Sequence, residues 1–250
     1  MNKEHLIDNN FCFAYNKYLN PTNKYREEKY IVFTSIFQLK KLAESNLIYM
    51  DGTFRTCPKN YYQLFNIIAK DKQTGKNIPV IHIPMSHKSE FLYNKIFENL
   101  VNIGKDLNID LKMEKKTCMT DFDKGLRNSL RKVFEGINLR GCFFHYVKAL
   151  WSKAKKLGLC AYNKIKVTKI IIFGLKVLTL QSKSCQDNMI SEINKFIDEI
   201  EDNQMFRKYM AYYEKNWFKN SFIRFDLCYD KKIKIRTDNV CEGFHMIIKS

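Results

Sequence analysis

Three acidic residues, Asp51, Asp121 and Glu242, stand where their side chains could meet. Asp51 follows a short apolar strand, Asp121 follows a later strand, and Glu242 starts the last predicted helix. Carboxylates at the ends of neighbouring strands face one space, and a third from a helix packed against that edge could complete the set. Such a cluster repels itself without a cation, and Mg²⁺ prefers oxygen ligands. Two such ions, about 3.5–4 Å apart, would clamp the attacking and leaving oxygens of a phosphodiester.

Each of the three acidic residues also has a purely structural interpretation. Asp51-Gly52 is the commonest kind of hairpin turn. Residues 120–123 could form a helix N-cap, and Glu242 could lie in a solvated first helical turn. Spacing alone leaves both interpretations open.

Hydrophobic periodicity predicts the elements that must position these residues. The early part of the chain predicts one helix and then three strands joined by tight turns, over residues 37–46, 47–50, 61–70 and 78–85. Residues 71–76 form the predicted hairpin loop. Helices and short strands then alternate, over residues 89–107, 117–120, 124–134, 139–144 and 145–158, with Ser89 as the first N-cap. This order predicts an α/β fold with a mixed sheet flanked by helices, and it is the element order of an RNase H-like core.

The same patterns divide the chain into four predicted segments. Residues 1–29 are polar and contain an Asn20-Pro21 turn signal, so we expect a loosely attached N-terminal arm. Residues 30–158 would form the first part of the catalytic core. Residues 159–229 lack strand patterns and predict a mostly helical insertion between Asp121 and Glu242, and residues 230–250 predict a C-terminal core helix carrying Glu242.

Composition excludes several classes of protein. The 250 residues include 19 Phe and 14 Tyr, too many for a disordered chain, and only 9 Gly and 4 Pro, too few for a collagen-like one. The most apolar run, residues 170–180, is far shorter than the roughly 20 residues of a membrane helix, so no membrane span is expected. Eight scattered cysteines favour a reducing compartment over a disulfide framework.

The net charge predicts a polyanionic partner. Lys and Arg number 43 against 26 Asp and Glu, a formal charge of +17. Nucleic acid is the first candidate and a membrane surface the second. The abundance of Asn, Lys, Ile, Tyr and Phe is also typical of AT-rich genomes, so codon bias is an alternative source of part of this charge.

Four sequence blocks, in order, resemble the MULE transposase domains of Mutator-like elements. Residues 50–58 contain the DGTF motif, and residues 119–124 resemble the block of the second aspartate. Residues 141–145 resemble a GCxFH block, and residues 237–245 a TNNxxEGWH block. The resemblance spans roughly residues 30 to 249.

This resemblance implies an RNase H-like fold with a DDE triad, carried here by Asp51, Asp121 and Glu242. It implies that these residues bind Mg²⁺ or Mn²⁺, hydrolyse phosphodiesters at the element ends, and direct a 3′-hydroxyl to target DNA. The implied partner is double-stranded DNA, as terminal inverted repeats and target, and the implied location is the nucleus. Three positions depart from the family pattern without removing a triad carboxylate: Asp123 for Glu, Asp238 for Asn and Phe244 for Trp.

The GCxFH block contains a Cys-x-x-His pair, Cys142 and His145. A cysteine on a strand is commonly a small buried apolar residue, whereas the family block suggests a brace for the floor of the site or a DNA contact. Cys241 and His245 lie one helical turn apart, so the four residues could form a zinc site. The family block does not generally have a cysteine at position 241, so zinc is not expected.

Candidate DNA contacts come from a stretch without acids. Residues 146–186 contain nine lysines and no Asp or Glu, and phosphate contact is their natural use. From this stretch we select Lys148, Lys153, Lys155 and Lys156. Residues 205–224 mix basic and aromatic side chains, for which core packing is the favoured interpretation. Trp217 is the exception, because related transposases use a tryptophan of this region to stabilise a flipped base.

The sequence therefore leads to a DDE transposase catalytic domain, with alternatives. One alternative is a transposase-derived DNA-binding or regulatory protein, or a decayed fragment, without catalysis. Another is a general RNase H-like nuclease acting on RNA, which would not explain the GCxFH and EGFH blocks. The sequence leaves open whether the chain forms a homo-oligomer.

Overall fold

A computed structural model describes residues 4–8, 11–54, 56–220, 237 and 240–241. The chain divides into two compact units. The first comprises Met1–Arg140 and Asp238–Ser250, and the second comprises Gly141–Thr237. The sequence predicts the boundaries of the helical segment at residues 158/159 and 229/230. In the structure, the second unit already begins at Gly141, and it therefore includes the helix that follows the last strand.

An eight-stranded mixed sheet forms the centre of the first unit. The strands are β1 (Glu4–Asp8), β2 (Phe11–Asn20), β3 (Asn23–Ser35), β4 (Leu47–Thr53), β5 (Gln63–Lys70), β6 (Asn77–Met85), β7 (Thr117–Thr120) and β8 (Asn138–Gly141). Their spatial order is β1-β2-β3-β6-β5-β4-β7-β8. β4 and β7 run parallel, and the pairs along the row from β1 to β4 are antiparallel. The predicted α/β class with a mixed sheet is confirmed.

Three helices accompany the sheet in the described part of this unit. They are α1 (Ile36–Glu44), α2 (Glu90–Asp106) and α3 (Lys124–Val133). The predicted Ser89 N-cap is confirmed, since its hydroxyl accepts a hydrogen bond from the Leu92 amide at 3.1 Å. Leu92, Ile96 and Phe97 of α2 belong to the same buried core as apolar residues of β4 and β5.

The hairpin between β5 and β6 forms as predicted. Asp71 caps its turn: its carboxylate accepts the Thr74 hydroxyl at 2.7 Å and the Thr74 amide at 3.1 Å. Gly75 has a φ of +67°, which L side chains rarely adopt. The Lys41 ammonium of α1 lies 2.9 Å from the Asp71 carboxylate and ties α1 to the hairpin.

The N-terminal segment differs from its prediction as a loosely attached arm. The described residues between 4 and 29 form β1, β2 and the start of β3. Their burial alternates: Ala14 and Asn16 are buried, while Tyr15 and Lys17 are exposed. Because polar Asn16 occupies an inward position, the alternation is hidden in the sequence and the strand pattern is easily missed.

The described part of the second unit is helical. Its elements are α4 (Phe143–Lys156), α5 (Ile165–Leu178), α6 (Lys183–Asp198), α7 (Gln204–Tyr213) and a π-helical turn (Glu214–Phe218). The sequence predicts a mostly helical segment over residues 159–229, and the structure agrees with this up to residue 220. That this segment is an insertion between Asp121 and Glu242 stays a prediction. No helix among the described residues is both long and apolar enough to cross a membrane.

The last predicted strand ends earlier than expected. The sequence predicted a strand through Phe144 and a helix from His145, but α4 already begins at Phe143. The buried side chains of α4 are Tyr146, Leu150 and Ala154, one stripe at helical spacing. The apolar run that includes Phe143 and Phe144 resembles a strand over a short window, and packing of that stripe determines the helix instead.

Candidate active site

Asp51 and Asp121 lie side by side at one edge of the sheet. In the parallel pair of β4 and β7, Met50 is the partner of Thr120. Asp51 is the next residue of β4, Asp121 directly follows β7, and neighbouring strands are about 4.8 Å apart. The register therefore brings two of the three predicted carboxylates together.

Asp51-Gly52 is part of a strand and not a hairpin turn. Both residues lie inside β4 and pair with Asn66 and Phe65 of β5. A Cβ atom on Gly52 would lie 2.6 Å from the Gln63 side-chain oxygen. The turn interpretation of this dipeptide is therefore wrong, and the glycine leaves room for the side chain of Gln63.

The pKa of a buried tyrosine, Tyr93 of α2, is affected by three carboxylates. Its hydroxyl accepts a hydrogen bond from the Gln63 amide at 2.8 Å. Burial raises the pKa of Tyr93 well above its ordinary value, and the charges of Asp123, Asp121 and Asp51 raise it further. The three carboxylates are therefore close enough to the Tyr93 hydroxyl for their charges to raise its pKa.

The helix N-cap predicted within residues 120–123 is Asp123. One of its oxygens accepts the Leu126 amide at 2.6 Å at the start of α3. One Asp121 oxygen accepts the Asp123 amide at 3.0 Å. The Arg127 guanidinium donates to the Thr120 hydroxyl at 2.9 Å and holds the end of β7. The capping role therefore belongs to Asp123, while Asp121 follows the strand end as expected of a site residue.

Lys88 provides a positive charge that the sequence analysis missed. Its ammonium lies 3.5 Å from the other oxygen of Asp121 and 3.2 Å from that of Asp123. Burial acts to lower the pKa of Lys88, but the two carboxylates outweigh it and hold the pKa above its ordinary value. No motif marks Lys88, because its contact with Asp121 depends on how α2 docks on the sheet.

The third predicted carboxylate, Glu242, lies outside the described residues, as does His245. Its predecessor in the chain, Cys241, is buried. Burial and, to a smaller extent, the negative charge of the Cys241 thiolate raise the pKa of Tyr49 to about 12. Tyr49 lies two positions before Asp51 on β4 and so faces the same side of the sheet. Cys241 therefore lies near the strand that carries Asp51.

The described residues contain no group of three His, Cys, Asp or Glu side chains arranged to hold a metal ion. The donors present near the edge of the sheet are carboxylate oxygens, which suit Mg²⁺ or Mn²⁺. The ammonium of Lys88 already occupies a place between two of these carboxylates. The negative charge of Asp121 and Asp123 therefore favours a cation between them.

The comparison with known families covers this same region. Residues 47–149 match the family model of the MULE transposase domain. The match runs from β4 into α4, and it confirms the resemblance over this stretch. No curated protein matches the chain. The MULE match indicates a transposase-related function and implies interaction with DNA.

The Cys-x-x-His pair falls within the MULE match and within the second unit. Cys142 is buried, as its apolar interpretation predicts, but it occupies the N-cap position of α4 and not a strand. The half-buried His145 ring lies edge-on to Phe144, with centroids 5.6 Å apart. A zinc site with Cys241 and His245 stays untested, because His245 lies outside the described residues.

The predicted DNA contacts differ in their exposure. Lys155 and Lys156 are exposed at the end of α4, and exposed Lys148 lies over the Phe144 ring at 5.8 Å. Lys153 is half-buried, with its ammonium 4.7 Å from the centre of the Tyr212 ring. These positions leave Lys155 and Lys156 as the most accessible pair of the four.

Trp217 packs inside the second unit. Its side chain is 6% exposed, and its ring meets that of Tyr146 edge-on at 5.1 Å. Tyr209 and Tyr213 are buried in the same unit, as the core interpretation of these aromatics predicts. The burial of Trp217 favours a core role over base stacking, although its DNA contact remains a prediction.

Proposed function

We propose that this chain is the catalytic domain of a DDE-type transposase that cuts and joins DNA with Mg²⁺ or Mn²⁺. The observation that carries the proposal is the register of β4 and β7, which sets Asp51 beside Asp121 within the MULE match. Glu242, in the block that resembles the third family motif, is the proposed third carboxylate.

The order of elements supports an RNase H-like core. Three antiparallel strands, β4 to β6, are followed by α2, the parallel strand β7, α3, β8 and α4. This is the order of elements that the resemblance implies. β1, β2 and β3 would then extend the sheet beyond β6.

In the proposed reaction, Asp51 and Asp121 hold the divalent cations and Glu242 completes the shell of one. Bound Mg²⁺ would supply stabilisation of the attacking and leaving oxygens of the phosphodiester. The residues of the chain position the cations, so no nucleophilic side chain and no covalent enzyme intermediate are required.

The proposed substrate is double-stranded DNA, as element ends and target, and the proposed location is the nucleus. The +17 charge and the exposed Lys155 and Lys156 support an anionic partner. The free thiols of Cys57, Cys118, Cys160 and Cys185 suit a reducing compartment.

Cleavage of a labelled duplex tests the proposal. Asp51→Asn, Asp121→Asn and Glu242→Gln should each lower the Mg²⁺-dependent cleavage rate by about 10²–10³-fold, since each removes a cation ligand. Asp110→Asn is the matched control, because exposed Asp110 pairs only with nearby Lys112 at 3.2 Å among the described residues. Its rate should equal that of the wild type.

Binding of the duplex without cleavage would favour a function that does not involve catalysis. If the wild type and all variants bind the duplex equally and none cuts it with Mg²⁺ or Mn²⁺, the catalytic proposal is wrong. A transposase-derived DNA-binding or regulatory protein would then be the better description.

A further inference from the structure

The carboxylates at the end of β7 are partly neutralised by a side chain of the protein. Lys88 lies 3.5 Å from Asp121 Oδ2 and 3.2 Å from Asp123 Oδ2. The other oxygen of each aspartate is used locally, since Asp121 Oδ1 accepts the Asp123 amide and Asp123 Oδ1 accepts the Leu126 amide. The ammonium therefore faces the oxygen of each aspartate that does not bind these amides.

The backbone on both sides of Lys88 is anchored, while its side chain is only partly buried. The Ser86 amide donates to the Lys29 carbonyl at 2.9 Å, and Ser89 caps α2. The Lys88 side chain is 28% exposed. The four-carbon stem can therefore move its charge without unfolding the start of α2.

A divalent cation on Asp121 Oδ2 would lie within a few ångströms of the ammonium. Two positive charges at such a separation repel each other. The lysine and the cation therefore weaken each other's binding to the carboxylate of Asp121.

We propose that Lys88 is a built-in competitor of the divalent cation at Asp121. It holds Asp121 and Asp123 in the metal-free protein and leaves Asp121 when the cation binds. Lys88 is thus a positioning residue that sets the cation affinity of the site. The inference rests on the proposed function, because it takes Asp121 as a cation ligand.

The test is a titration of the purified full chain with Mn²⁺ alone, in the absence of DNA, with free Mn²⁺ measured by electron paramagnetic resonance. Lys88→Met should bind Mn²⁺ about tenfold more tightly than the wild type, because it removes a positive charge next to the cation site. Lys88→Arg keeps the charge and should bind like the wild type. Lys95→Met on α2 is the matched control, since Lys95 pairs with Glu98 at 2.8 Å outside the site.

The possible results separate the inference from the function beneath it. Tighter binding by Lys88→Met alone, abolished by a second change Asp121→Asn, supports the competition. Wild-type binding that needs Asp121 but is the same in Lys88→Met overturns the competition and leaves the proposed function intact. Absence of Mn²⁺ binding in both proteins at millimolar concentration overturns both. Thermal unfolding of each folded variant without metal confirms that the comparison concerns intact protein.

Discussion

At the scale of residues, a hydrogen bond from Gln63 to Tyr93 lies beside Gly52, the residue directly after Asp51. The Gln63 amide lies 2.8 Å from the Tyr93 hydroxyl, and both side chains are buried. Gly52 leaves the space that the Gln63 side chain occupies. The packing of Gln63 therefore limits which residue can follow Asp51.

Gly52→Ala should disturb the packing of Gln63 against this strand. Its new methyl group would meet the Gln63 oxygen at 2.6 Å, so we expect a loss of about 1–3 kcal/mol in the free energy of unfolding. In a Gln63→Ala background the same change should cost clearly less, because the clashing side chain is gone. Urea unfolding of the four proteins measures this coupling. An equal cost in both backgrounds would show that Gly52 is constrained by something other than Gln63.

The sequence predicted part of the site at this scale. Asp51 and Asp121 were predicted because each follows an apolar strand, and parallel pairing then sets them side by side. Lys88 and Tyr93 leave no signal in the sequence, because their contacts depend on the docking of α2. Residues 120–123 are compatible with a site or with a helix cap, and the hydrogen bond to Leu126 shows that Asp123 is the cap of α3.

At the scale of elements, the β5–β6 hairpin depends on an ionised carboxylate. Hydrogen bonds from Thr74 and Lys41, together with the charge of Lys41, lower the pKa of Asp71 to about 2. Because the folded pKa lies below the ordinary value of 3.8, this group stabilises the fold above pH 4. The stabilisation is lost as the pH falls from about 4 to about 2.

Asp71→Asn should therefore be less stable than the wild type at pH 7, with a difference that shrinks as the pH falls towards 2. Denaturant unfolding of both proteins across this pH range measures the difference. Asp106→Asn serves as the control for an exposed aspartate that makes no ion pair with any described residue. A stability difference that stays constant down to pH 2 would contradict the role of the ionised Asp71.

Elements with a clear hydrophobic period can be predicted from the sequence. Elements whose period is hidden by buried polar residues cannot. The amphipathic α2 and its Ser89 cap follow from local sequence alone. β1 to β3 were missed because polar residues such as Asn16 and Glu28 occupy buried positions in their strands. The start of α4 was placed two residues late, because its first residues continue the apolar run from β8.

At the scale of the whole molecule, positive charge is the dominant electrostatic feature. The formal charge is +17, and residues 146–186 contribute lysines without a single Asp or Glu. Lys155 and Lys156 make no ion pair with any residue that the structure describes. Exposed lysines of this kind release counterions when they contact phosphates.

Lys155→Ala with Lys156→Ala should flatten the salt dependence of DNA binding. Loss of two phosphate contacts lowers the slope of log K against log salt by about 2, at roughly 0.9 per contact on duplex DNA. Lys112→Ala with Lys195→Ala removes the same charge from lysines that pair with Asp110 and Glu192, and should leave the slope near its wild-type value. Fluorescence anisotropy over a range of salt measures both slopes. Equal slopes in the two double variants would mean that Lys155 and Lys156 are only solvated.

The central claim is that Asp51, Asp121 and Glu242 share a divalent-cation site, and iron-directed cleavage of the polypeptide tests it most directly. Fe²⁺ replaces Mg²⁺, ascorbate and peroxide generate hydroxyl radicals at the metal, and the fragments are identified by mass spectrometry. We expect cuts near all three residues in one reaction, each suppressed by excess Mg²⁺. Cuts near Asp51 and Asp121 but none near Glu242, or cuts insensitive to Mg²⁺, would contradict a shared site.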